Sequence, residues 1–227
     1  MSLLDALRRG VIQIDRLCFT VYCRKFEVVG KERVPLEGGL ILASNHMNNA
    51  DPPAICLAIP RHPTFMAKKE MFGWPVLGLA FRAFGAFPVR RTQADLGALR
   101  AASEAVRGGE MLVMFPEGTR SRTGGLGKGH PGTGLIALRT GAPILPVAVT
   151  GTEGVRWPWI FLKPYSMKRV TVTIGEPFRV PPVERINNES AAEATDLIMR
   201  RIAALLPPEY RGVYANVDLE TKLETPA

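Results

Sequence analysis

A histidine and an aspartate five residues apart, His46 and Asp51, are the first residues in this chain that could do chemistry together. His46 ends the run Leu40-Ile-Leu-Ala-Ser-Asn-His, which reads as a buried strand leading into a turn. Ligands of open α/β sheets sit outside the carboxyl ends of strands, so the position suits a reactive group. If the short loop folds back, the Asp51 carboxylate accepts the Nδ1 proton of His46 and leaves Nε2 as a base toward a hydroxyl. A second reading stays open, because Asp51 precedes Pro52 and Pro53, and Asp before Pro makes a good helix N-cap. No G-x-S-x-G elbow supplies a serine, so the nucleophile of such a base is the substrate's own hydroxyl. Two ligands are too few for a metal, and neither an H-E-x-x-H pattern nor a cysteine cluster adds a third. No metal and no cofactor are expected.

The second chemical feature is Phe115-Pro-Glu-Gly-Thr-Arg-Ser-Arg122, which follows the strand-like run Met111–Phe115. Seven glycines between positions 118 and 134 free the backbone to turn amides toward an anion. A helix predicted from Gly134 would add the unpaired N–H groups of its first turn. Arg120, Arg122 and Lys128 supply positive charge, and guanidinium suits bidentate phosphate contact. A glycine-rich loop is a weak signal by itself, and a mobile surface loop would look the same. The strand-end position and a second basic pair, Arg90-Arg91 after Phe87-Pro-Val, favour a site.

The elements that must position these residues alternate. Strands are predicted at Phe26–Val29, Leu40–Ala43, Met111–Phe115, Ile144–Val149 and Val170–Ile174, with helices near Pro52–Ala58, Pro75–Ala83, Ala94–Val106, Gly134–Arg139 and Glu189–Leu206. Strands alternating with helices imply an α/β fold, a mostly parallel twisted sheet flanked by helices. An amphipathic helix precedes it. Leu4, Leu7, Val11, Ile14, Cys18 and Val21 recur at steps of three and four, while Arg8, Arg9 and Arg16 alternate with Ile12 and Phe19 on the opposite side. The expected organisation is a membrane-associating helix over 1–24, one catalytic domain over 25–210, and a loose polar tail over 211–227.

The chain has 227 residues, 46% hydrophobic and 22% charged, enough for one full core. Its net charge of +8 draws it to anions of some kind. Nucleic acid is not the expected partner, since no helix-turn-helix, RNP or zinc pattern accompanies the charge. Cys18, Cys23 and Cys56 form no C-x-x-C pair and read as buried free thiols. No apolar run approaches the roughly 18 residues of a bilayer span, and the N-terminus does not read as a signal peptide. Two apolar segments keep open readings. Met71–Phe81 could line a groove for a long apolar chain or form core, and Trp157–Leu162 could dip into a membrane interface or form core.

Four blocks, Asn45-His46-x-x-x-x-Asp51, Phe87-Pro-Val-Arg-Arg91, Phe115-Pro-Glu-Gly-Thr-Arg-Ser121 and Ile144-Leu-Pro-Val-Ala-Val149, together resemble the glycerolipid acyltransferase family, in its PlsC-like 1-acylglycerol-3-phosphate acyltransferase branch. The resemblance covers roughly residues 40 to 150. It implies transfer of a fatty acyl group from acyl-CoA or acyl carrier protein to lysophosphatidate, forming phosphatidic acid. His46 then resembles the family's base and Asp51 its partner. Lys68 resembles a lysine beside the thioester oxyanion. Arg90 or Arg91 resembles the arginine that contacts the acceptor phosphate. Glu117, Gly118, Thr119 and Arg120 resemble the acceptor-binding block, and Pro146 marks a fourth, mainly structural block. Asn48 stands where the family usually has serine and Ala50 precedes Asp51, a pattern closer to some glycerol-3-phosphate acyltransferases. Glycerol 3-phosphate and other lysolipids are therefore alternative acceptors, and a non-catalytic lipid-binding protein is the alternative of another class. The basic first helix adds an expected anionic membrane partner and a peripheral location on the cytoplasmic face.

Overall fold

The computed structural model describes residues 3–74, 78–79, 81–82, 86–89, 96–153 and 167–216. Within it the apolar runs assemble into one sheet. The strands are β1 (Phe26–Val29), β2 (Leu40–Ser44), β3 (Pro63–Lys68), β4 (Phe87–Val89), β5 (Met111–Met114), β6 (Ile144–Thr150) and β7 (Val170–Ile174), in the order β1-β7-β6-β2-β5-β3-β4. From β6 to β4 all neighbours run parallel, whereas β7 is antiparallel to β6 and β1 is parallel to β7. The sheet is thus mostly parallel, as the alternation implied. β3 and β4 were not expected as strands. Pro88 disguised β4, but that strand pairs only with β3 at the sheet edge, where a missing N–H breaks no ladder bond.

Side chains of a strand alternate between faces, and here both faces are covered. Ile41, Ala43, Leu112, Ile144 and Ala148 pack with α3 (Leu96–Arg107), α4 (Gly132–Thr140) and α5 (Asn188–Leu205). Leu40, Leu42, Met111, Val113, Leu145 and Val147 pack on the other side, toward α1 (Leu3–Tyr22) and α2 (Asp51–Ala58). Truncating a fully buried residue such as Leu42 to Ala would cost about 2–5 kcal/mol. α5 starts with a reciprocal capping box, Ser190 N donating to Asn187 Oδ1 at 2.8 Å and Asn187 N to Ser190 Oγ at 2.9 Å. Pro207 and Pro208 follow its end.

The first helix forms, but it is rolled relative to the expected orientation. Phe19, assigned to an outer basic strip, is buried and meets Phe26 edge-on with ring centroids 5.2 Å apart. Ile12 is half-buried. Ile14, Leu17 and Val21 are exposed at 60%, 63% and 37%, although Ile14 and Val21 belonged to the stripe expected to face the core. The physical reason lies in side-chain volume: the large Phe19 ring fills the space beside β1 that a smaller aliphatic stripe leaves, and the helix turns to seat it.

The tail expected to loosen at 211 does not begin there. Tyr214 is buried in a 3₁₀ turn (Gly212–Tyr214), and Val213 N donates to Leu126 O at 3.0 Å. Of the free thiols only Cys23 is fully buried, while Cys18 and Cys56 are intermediate. In the Met71–Phe81 segment a 3₁₀ turn (Lys69–Gly73) leads to an exposed Trp74, and Phe72 and Phe81 stand 5.7 Å apart. Trp157–Leu162 lies outside the described residues.

Candidate active site

Parallel strands bring their carboxyl ends to one edge, and the candidate residues collect there. The register places Ala43 beside Met114 and Ser44 beside Val147, so the turns leaving β2, β5 and β6 are neighbours. The Asn45 side chain continues the pairing beyond β2. Its Nδ2 donates to Val149 O and its Oδ1 accepts Val149 N, both at 2.8 Å. The next residue, His46, is thereby fixed at its backbone. His46 N donates to Glu117 Oε1 at 3.0 Å and His46 O accepts Ser121 N at 2.7 Å.

The imidazole is fixed as firmly. It stacks on Phe115 with centroids 4.2 Å apart, and its Nδ1 lies 2.8 Å from Asp51 Oδ2. Asp51 is the first residue of α2 rather than its cap. Ala50 holds the N-cap position without a side-chain bond, which corrects the N-cap reading. Instead the carboxylate folds back, and Oδ2 also accepts Met47 N at 2.6 Å and Asn48 N at 2.7 Å. Oδ1 accepts the Thr152 hydroxyl at 2.6 Å. A fully buried carboxylate surrounded by donors serves the imidazole as an acceptor, which puts the ring proton on Nδ1 and the lone pair on Nε2. The His46 side chain is 17% exposed, enough to present that edge to a substrate.

Glu117 joins this turn to the glycine-rich loop. Its Oε1 takes the His46 amide and its Oε2 the Gly127 amide at 2.9 Å. Burial pushes the Glu117 carboxyl above its usual range, and the two amides pull against that shift. Beside it opens a cleft of about 270 Å³ lined by Thr119, Arg120, Ser121, Arg122, Lys128 and His130, among others. Arg120, Arg122 and Lys128 are exposed. His46 does not itself line this cleft and is joined to it through Glu117, and the cations there suit a phosphorylated ligand.

Part of the glycine richness has another cause. At Gly134 a Cβ would stand 2.2 Å from Ala191 O, so glycine there lets α4 press against α5. The Gly134 amide, expected to face an anion, donates to Thr195 Oγ1 at 3.0 Å. At Gly118, φ is +67°, a conformation in which other residues are strained, and this turn aims the Thr119–Arg120 backbone into the cleft rim.

Lys68 ends β3 at the same edge, paired with Val89, while its side chain, Arg90 and Arg91 lie outside the described residues. Pro146 carries structure, its carbonyl accepting Gly175 N at 2.9 Å. Among the described residues no three His, Cys, Asp or Glu side chains converge as metal ligands. The sequence reading missed His130, Thr152 and Tyr210, whose carbonyl accepts Leu126 N at 2.9 Å. The strand-end argument that found His46 would have found Thr152, two residues past β6.

A family model described as acyltransferase matches residues 25–150. The chloroplastic 1-acyl-sn-glycerol-3-phosphate acyltransferase BAT2 of Brassica napus is 32% identical over 131 residues, 56% of this chain and 38% of that protein. The 1-acyl-sn-glycerol-3-phosphate acyltransferase of Streptococcus pneumoniae is 29% identical over 167 residues, 73% of this chain and 60% of its own. That of Bacillus subtilis is 26% identical over 181 residues, 79% and 87% of the two chains. The chain thus spans between about two fifths and three fifths of the length of the first two of these relatives. The crystal structure of the 1-acyl-sn-glycerophosphate (LPA) acyltransferase PlsC from Thermotoga maritima shares the fold, with a TM-score of 0.68 at 24% identity over 89% of this chain and 78% of that one.

Proposed function

Because this chain belongs to the acyltransferase family, we propose that it transfers a fatty acyl group from a thioester, acyl-CoA or acyl carrier protein, to the free hydroxyl of 1-acylglycerol 3-phosphate. The products are phosphatidic acid and the free thiol, a step of phospholipid synthesis. The observation that carries this reading is the His46–Asp51 pair at 2.8 Å beside a cleft lined by cations. His46 Nε2 takes the hydroxyl proton as the oxygen attacks the thioester carbonyl. The tetrahedral adduct collapses, the carbon–sulfur bond breaks, and the proton passes to the departing sulfur. Asp51 stabilises the transient imidazolium. A positioned base contributes about 10²–10⁴ in rate, and holding two lipids side by side contributes much of the rest.

Arg120 is assigned to the acceptor phosphate, with Arg122 and Lys128 beside it. Gly118 and Thr119 shape that rim, and Glu117 holds it against the His46 turn. Lys68 is assigned to the oxyanion, and Arg90 or Arg91 to the same phosphate.

The protein works at an anionic membrane surface, attached peripherally on the cytoplasmic face. The support is the exposed strip Ile14, Leu17 and Val21 beside exposed Arg9 and Arg16. Among the described residues no helix is long and apolar enough to cross a membrane. Each basic residue near an anionic surface adds about 1 kcal/mol, so the apolar strip must contribute too.

The test offers both donors to purified protein against 1-acylglycerol 3-phosphate, glycerol 3-phosphate and other lysolipids. Wild type should form phosphatidic acid, and His46→Ala should lose nearly all transfer while keeping its circular dichroism. Preference for glycerol 3-phosphate would move the acceptor to the alternative suggested by Asn48. His46→Ala activity within a few-fold of wild type would end the mechanism.

A further inference from the structure

The Asp51 carboxylate has two oxygens, and only one of them faces the histidine. Oδ2 accepts His46 Nδ1 together with the amides of Met47 and Asn48. Oδ1 accepts the hydroxyl of Thr152, which lies 101 residues along the chain. Thr152 is fully buried and sits in the turn leaving β6, two residues past the end of the family match. We propose that Thr152 is a positioning residue for the acyl transfer: its hydroxyl holds Asp51 rotated so that Oδ2, rather than Oδ1, faces His46, and thereby sets the orientation and basicity of the imidazole.

A carboxylate on a single χ2 bond presents either oxygen by rotation, and terminal sp³–sp² torsions are soft. Two amides on Oδ2 and one hydroxyl on Oδ1 define one orientation. They come from separate elements, the turn before α2 and the turn after β6, so neither follows the other if the carboxylate turns. At 2.6 Å the contact has the length expected of a hydroxyl on an ionised oxygen, which places it in the stronger class of hydrogen bonds. Removing the hydroxyl leaves Oδ1 buried without its donor, which costs more than the bond itself returned.

The charged groups facing the imidazole among the described residues are Asp51 at the start of α2 and Glu117 on the loop after β5. Thr152 is neutral, so its removal changes no charge. It changes how well the Asp51 charge is solvated. A carboxylate that loses a donor holds a neighbouring imidazolium more strongly, so His46 keeps its proton to a higher pH.

The kinetic half of the test rests on the acyl-transfer reading, and the spectroscopic half does not. Thr152→Val keeps shape and removes the hydroxyl, while Thr152→Ser keeps the hydroxyl and removes a methyl. The assay uses full-length protein, acyl-CoA and 1-acylglycerol 3-phosphate across pH, and NMR follows the His46 ring titration in the free protein. Thr152→Val should lower kcat by about tenfold to a hundredfold, the scale of a misplaced catalytic group. Both KM values should stay within about twofold of wild type. The acid limb of kcat/KM and the ring titration should move together to higher pH. Thr152→Ser should recover most of the rate and the wild-type titration.

Unchanged kcat with an unmoved titration in Thr152→Val overturns the proposal. So does a Thr152→Ser variant as impaired as Thr152→Val, which would assign the effect to packing. If Thr152→Val does not fold, Thr152→Ala is compared with Thr152→Ser, and equal titrations and rates in the two overturn it. If wild type transfers no acyl group at all, the functional reading fails, and the ring titration still decides what Thr152 does to His46.

Discussion

The turn that carries His46 and the helix that carries Phe19 are held in place by different kinds of force. Around His46 the constraints are directional: Asn45 clasps Val149, Glu117 takes the His46 amide, Asp51 gathers four donors, and Phe115 covers one ring face. The first helix is held by apolar contact on one side, Phe19 against Phe26 and the α2 layer, with the other side in solvent. Hydrogen bonds specify an angle, whereas apolar burial specifies only a side. The His46 turn therefore tolerates no rotation, while the helix settles where the Phe19 ring is buried.

The contrast can be broken first at its strongest point. Asp51→Asn removes the charge and leaves one acceptor oxygen: its Nδ2 must face either the Met47 and Asn48 amides, which only donate, or the Thr152 hydroxyl, which must then accept instead of donate. Transfer should fall by about 10²–10⁴ because the imidazole loses both orientation and counter-charge. Melting temperature should fall as well, since the buried donors around position 51 lose their ionised acceptor and share one neutral oxygen. Activity within tenfold of wild type would mean that His46 acts without Asp51.

On the same edge but in solvent, Arg120 should matter less and more selectively. A charge-assisted bond is worth about 1.5–3 kcal/mol, so Arg120→Ala should raise the acceptor KM by about tenfold or more. The donor KM should stay within about twofold. An effect confined to the donor would reverse the assignment of the two subsites.

Two substitutions on opposite sides of α1 sharpen the comparison further. Phe19→Ala removes a buried ring and should cost on the order of 3 kcal/mol of stability, seen as a lower urea midpoint. The double substitution Ile14→Asp with Leu17→Asp should leave that midpoint nearly unchanged and remove co-sedimentation with anionic vesicles. Vesicle binding that survives the double substitution would put the membrane contact elsewhere.

These differences also explain what the residues alone disclosed. The order of motif blocks, the carboxyl-end rule and the His–Asp spacing pointed to His46, Asp51 and Glu117, since His46 and Glu117 sit just past strands whose apolar runs are plain and Asp51 follows His46 by five residues. Thr152 was legible as a strand-end residue, two past β6, but its partner is 101 residues away and no spacing in the sequence links the two. β4 was missed because proline argues against a strand until the edge position is known. The face of α1 was misread because the hydrophobic period ranks positions by type, while burial there was decided by the volume of one ring and by what β1 offered it. Tyr214 and the turn beyond α5 were read as tail because a short aromatic segment after two prolines shows its docking only once the Leu126 loop is in place.

The smallest expected effect comes from Asp15, a carboxyl on α1. Asp15 lies on the half-buried side of the helix, and burial pushes its pKa up to about 6. Its charge also raises the nearby Cys18 and Cys56 thiols, after burial itself. A carboxyl raised in the folded state favours folding in its protonated form. Its contribution is therefore complete below the unfolded value of about 3.9 and is lost as pH climbs through about 6. At neutral pH the docked helix bears the cost of a poorly solvated charge. Asp15→Asn removes that charge and keeps the shape. It should raise the melting temperature slightly above pH 7, and the gain should shrink on acidification and vanish near pH 4. Hydrogen exchange of α1 amides, compared between the two proteins at each pH, should show the same convergence, while amides of β2 and β6 stay unchanged. A gain independent of pH would show that asparagine stabilises the helix through contacts of its own, and the charge on Asp15 would then have no part in how α1 docks.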